Sequence, residues 1–72
     1  MVETPEQLRR LMMVLGITQA ELGEAIGRDR NYVSNLIRFG IPKKVKRELN
    51  EALQRLIDKR VAVIREYGFR VK

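Results

Sequence analysis

The side chains best equipped to recognise another molecule are concentrated between Thr18 and Arg47. Residues 28–47 hold Arg28, Arg30, Arg38, Lys43, Lys44, Lys46 and Arg47 against the single carboxylate of Asp29, a balance of +6 that equals the net charge of the whole 72-residue chain. Charge gathered in this way attracts a polyanion, with nucleic acid first and an anionic membrane surface second. The simplest alternative is a solvated basic face that aids solubility. Among the cations stand Asn31 and Asn35. A carboxamide can pair bidentately with adenine, as a guanidinium can with guanine. Exposed Asn in a helix costs stability relative to Ala or Lys, so two of them on one face need a reason, and base reading supplies one. Catalysis has little to work with. There is no His and no Cys, which removes the commonest general base, the thiolate ligands of zinc and any disulfide. No nucleophile–base set, paired carboxylates or phosphate-cradling glycine loop is present. The expectation is a binding protein, not an enzyme, with no cofactor, no metal and no small-molecule ligand.

The elements that must position these groups can be read from periodicity and caps. Thr4, Pro5 and Gln7 form the start of a first helix, with a Thr-x-x-Gln capping box and Pro at the first helical position. Leu8, Leu11, Met12 and Leu15 give it one apolar stripe, and Gly16 a stop. Thr18 and Glu21 predict a second capping box, and Leu22, Ala25 and Ile26 a buried face ending at Gly27. Asp29 caps a third helix with Val33, Leu36 and Ile37 turned inward. A fourth helix starts near Pro42 and carries Val45, Leu49, Ala52, Leu53 and Leu56 at helical spacing. The tail has two readings. Residues 61–64 are mostly β-branched and residues 69–71 alternate like a strand, but a helix to about Tyr67 with Gly68 as its stop is favoured. The chain is one all-α domain; 72 residues are too few for two cores.

The second and third helices are joined by a minimal turn, and the join imposes testable demands. Leu22 and Ile26 must reach the core, as must Val33 and Leu36 from the third helix. Position 23 must be small because the third helix passes close by, and position 27 must accept φ > 0. Both are glycine. With this pattern on the page, the run Thr18-Gln19-Ala20-Glu21-Leu22, Gly27 and the Val33/Leu36 pair resemble the Cro/C1-type helix-turn-helix domains of phage repressors and their bacterial relatives. The likeness covers residues 8–38 well and 39–56 loosely. It departs at Arg28, where the family has small or apolar residues, at Gly23, where Ala is usual, and in the loop after the third helix. The resemblance implies a small lambda repressor-like bundle of four to five helices. It also implies that the third helix docks in the major groove while the second crosses the backbone.

On that docking, residues 29–38 form the recognition helix. Arg30, Asn31, Tyr32 and Asn35 are expected at base edges, and Thr18, Gln19, Arg28, Ser34 and Arg38 at the phosphate backbone. Lys43, Lys44 and Lys46 open the fourth helix, where positive charge opposes the helix dipole; phosphates lying against that end would offset the cost. Residues 1–56 are read as the DNA-binding domain. Residues 57–72 are read as a helical extension making a homodimer contact through Ile57, Val61, Ile64, Tyr67 and Phe69, with Val71 nearby, because these exceed what one small core needs. A monomer with the tail folded back is the alternative. The expected function is sequence-specific binding of double-stranded DNA by a small prokaryotic or viral transcriptional regulator, a repressor or Cro-like switch. An antitoxin-type interaction module that also binds its operator, or an architectural or recombination accessory protein, stays open. No run approaches the ~20 apolar residues of a membrane span, and residues 1–5 lack a basic leader, so the expected compartment is the cytoplasm.

Overall fold

A computed structural model describes residues 1–70. Four helices follow in order: α1 Pro5–Leu15, α2 Gln19–Ala25, α3 Arg30–Phe39 and α4 Lys43–Glu66. Among the described residues there is no strand; residues 61–66, the ambiguous tail, continue α4, and Tyr67 and Gly68 (φ 83°) end it. Val71 and Lys72 lie outside the described residues.

Local chemistry sets the helix boundaries. The Thr4 hydroxyl accepts from Gln7 N at 3.2 Å, and Gln7 Oε1 accepts from Thr4 N at 3.2 Å and Glu3 N at 2.7 Å, a complete capping box. Gly16 takes the left-handed conformation (φ 67°) that closes α1 and drops Ile17 into the core. Thr18 caps α2 by accepting from Glu21 N at 3.0 Å. The reciprocal half of the expected box is not made there, because the Glu21 carboxylate turns instead to Arg60. Asp29 caps α3, accepting from Tyr32 N at 2.9 Å. Pro42 precedes α4 rather than opening it, and the first turn of α4 has no side-chain cap.

The helices meet on one core. Leu8 and Met12 of α1, Leu22 of α2, Val33 and Leu36 of α3, and Val45, Leu49, Ala52, Leu53 and Leu56 of α4 are all buried, with Ile17 and Ile26 from the connections. Ala25, expected inside, is only half-buried. α3 packs on α1 and α2, and α2 also on α4. The molecule is 40 Å long and about half as wide. Its length is that of α4, whose 24 residues span roughly 36 Å at 1.5 Å each. Val2 adds an anchor that periodicity does not reveal. It is buried, and Asn50 holds its backbone from both sides: Val2 N donates to Asn50 Oδ1 (2.8 Å) and Asn50 Nδ2 to Val2 O (3.0 Å).

Candidate nucleic-acid interface

The turn between α2 and α3 is tighter than a generic helix pair needs. Arg28 N donates to Gly23 O at 2.8 Å, and Gly27 sits at φ 72°. A Cβ on Gly23 would lie 2.8 Å from Arg28 O and 2.9 Å from Asp29 O, both rigid backbone atoms. A side chain at position 23, even the alanine usual in the Cro/C1 type, would therefore force residues 28–29 to shift.

Two arginines of α4 lock this unit in place. Arg55 donates to Ala25 O at 2.9 Å, satisfying a free carbonyl at the end of α2. Arg60 donates to Leu15 O at 2.8 Å and Gly16 O at 3.3 Å, capping α1, and grips Glu21 at 2.8 and 3.2 Å. That hydrogen bond holds the Glu21 carboxyl below its ordinary value, against some desolvation, and raises Arg60 in turn. Neither arginine was singled out from the sequence. Their partners lie 30 to 45 positions away, and no periodic signal links them.

The outward face of α3 is laid out as its periodicity demands. Val33 and Leu36 are buried, while Arg30, Asn31, Asn35 and Arg38 are exposed. Asn31, Asn35 and Arg38 share the side opposite the core; Arg30 lies off that line, at the first turn. Ser34 is half-buried on the flank. Tyr32, expected at a base edge, lies on the flank of this face. Its ring is half-buried against the core, and the Arg28 guanidinium lies over it, 4.9 Å from the centroid. It serves as a platform that orients Arg28. Thr18 and Gln19 are exposed at the start of α2, the Thr18 hydroxyl being occupied as the cap.

Of the α4 lysines, Lys43 and Lys44 are exposed on its uncapped first turn. Lys46 is turned away to Glu3, at 3.1 Å, and is only 35% exposed. The structure thus separates it from the pair with which the sequence groups it. At the other end of α4, Ile57 lines a shallow groove with Leu11, Val14 and Leu53, and Val61 is half-buried. Ile64, Tyr67 and Phe69 are exposed, Tyr67 at 76% and Phe69 at 69%.

Comparison with known proteins falls on this same unit. The profile of the family described as ParB HTH domain matches residues 1–63. The chain belongs to the ParB helix-turn-helix family. It is a helix-turn-helix DNA-binding domain of the ParB type, and the Cro/C1 type suggested by residues 18–36 is not the one matched. A curated relative, the "Probable chromosome-partitioning protein ParB" of Chlamydia trachomatis serovar D, is 36% identical over 50 residues, covering 68% of this chain. The chain spans about a fifth of that relative, 18% of its length. No solved structure matches. Among the described residues no helix is long and apolar enough to cross a membrane.

Proposed function

We propose that this ParB-type domain binds a specific double-stranded DNA site and serves in DNA partition. The observation that carries the reading is the face of α3: Asn31, Asn35 and Arg38 exposed in a row on a helix fixed by the Asp29 cap, the Gly23 crossing and the two arginine locks. α3 enters the major groove, with Asn31, Asn35 and Arg30 at base edges. Gln19, Arg28, Arg38, Lys43 and Lys44 hold phosphates. The relative's name, a chromosome-partitioning protein, favours partition over the promoter switch that a repressor would be. The exposed apolar end of α4 serves as a homodimer contact, which lets two copies of α3 read two half-sites. The action is binding alone, without catalysis or cofactor, in the bacterial cytoplasm where the DNA lies.

Selection from a randomised DNA pool at near-physiological salt tests the reading, followed by mapping of occupied genomic sites. Recovery of a short motif, with sites clustered at one locus, supports partition. A motif confined to promoters supports a transcriptional regulator instead. No motif, with affinity that vanishes as salt rises, rejects sequence reading and leaves an architectural binder.

A further inference from the structure

Phe39 is the last residue of α3 and is 77% exposed. A lone exposed apolar side chain is ordinary, but this one has a particular place. Asn31, Asn35 and Phe39 succeed one another at i, i+4 and i+8, so the ring lies one turn, about 6 Å, past Asn35, on the flank of the reading face about 80° round from Asn31. The Arg38 guanidinium lies against it, 5.4 Å from the ring centroid. The stretch from Arg30 to Arg47 has six basic residues and no acidic one; Lys46 and Arg47 pair with Glu3 and Glu51, leaving Arg30, Arg38, Lys43 and Lys44 as its cations. A partner for this spot must be anionic and yet present an apolar group at the surface. The major groove does both, with phosphates along its walls and the thymine 5-methyl group on its floor, a group known to take contact from Phe.

We propose that Phe39 packs on a thymine 5-methyl group and so selects an A·T pair at one position of the bound site. The proposal rests on the reading that α3 lies in the major groove, and it adds an apolar readout of the thymine methyl to the hydrogen-bonded readout of Asn31 and Asn35. Loss of one buried methyl contact corresponds to about a three- to five-fold loss of affinity.

The test uses the full chain and the motif it selects. Wild type, Phe39→Ala and Phe39→Leu are each put through the same DNA selection, with circular dichroism to confirm folding; exposure of the ring makes both variants expected to fold. Binding is then measured on the wild-type site with each thymine replaced in turn by deoxyuridine, which lacks only the methyl group. The expected result is one thymine whose replacement weakens wild type about three- to five-fold and leaves Phe39→Ala unaffected. Phe39→Leu, which keeps an apolar tip but cannot stack on Arg38, is expected to retain the preference. The proposal is overturned if Phe39→Ala weakens all sequences alike, which would place the ring on sugar or backbone. It is overturned equally if Phe39→Leu behaves as Phe39→Ala, which would make the ring a support for Arg38. Binding to anionic phospholipid vesicles that depends on Phe39, with base preferences unchanged, would also overturn it. Failure of wild type to select any motif rejects the major-groove reading itself; a motif that Phe39→Ala selects unchanged rejects only the role of Phe39.

Discussion

Replacing Arg60 with Met would loosen the join between α4 and the helix-turn-helix while keeping the apolar stem of the side chain. Arg60 makes two bonds to carbonyls at the end of α1 and a two-pronged pair with Glu21 at the start of α2. The side chains of the pair are 25% and 32% exposed. Water therefore screens it, and its contribution sits near the top of the range for exposed pairs, about 1 kcal/mol. The carbonyl bonds add about 0.5–1 kcal/mol each. Arg60→Met is expected to lose about 2–3 kcal/mol, and Glu21→Gln, which loses only the charge, about 0.5–1 kcal/mol. In a domain of this size that corresponds to a fall in Tm of ~10–20 °C and ~5 °C. Urea and thermal unfolding followed by circular dichroism would measure both, with the double variant closing the cycle. An Arg60→Met loss no greater than that of Glu21→Gln would refute the capping of α1. A coupling of zero would refute the pair. Acid gives a second check. Arg60 lowers the Glu21 pKa below its ordinary 4.5. A carboxylate depressed in the folded state stabilises the fold above its unfolded pKa, and that stability is lost as pH falls through the folded value. Wild type should therefore lose its advantage over Glu21→Gln only below about pH 4.5.

Other substitutions probe the remaining links. Gly23→Ala normally gains helix propensity, but its Cβ would meet backbone oxygens at 2.8 and 2.9 Å; a net loss of about 1–2 kcal/mol is expected in urea unfolding, and a gain would show that residues 28–29 yield freely. Lys43→Ala and Lys44→Ala should each lower the log–log salt slope of DNA binding by up to ~0.9, whereas Lys46→Ala, engaged with Glu3, should leave it unchanged. Equal effects from all three would place Lys46 on the DNA. A Tyr67→Ser, Phe69→Ser double variant should shift sedimentation equilibrium toward the 8.4 kDa monomer; a wild type already monomeric at high concentration would remove the dimer.

What was legible in the sequence was local. Capping at Thr4, Thr18 and Asp29 acts between residues three apart, and each hydroxyl or carboxylate receives the expected amide. The left-handed turns at Gly16 and Gly27, and the α4 stripe from Val45 to Leu56, depend only on how a chain folds against itself within a turn or two. From these the all-α class, the helix-turn-helix and the outward row of Asn31, Asn35 and Arg38 follow. The branch of the family did not follow: the pattern in residues 18–36 resembles the Cro/C1 type, whereas the profile that matches, over residues 1–63, is that of the ParB HTH domain. Only tertiary structure decided the pairings between distant residues. Glu21 left its expected capping box for Arg60, 39 positions away, and Lys46 left the Lys43–Lys44 pair for Glu3. Val2 joined the core through Asn50, and the atoms that crowd Gly23 proved to be the backbone of residues 28–29. The physical reason is common to all four. Spacing along a helix tells which face a side chain occupies, but the neighbour it meets there depends on the crossing of whole helices, which no short window of sequence contains.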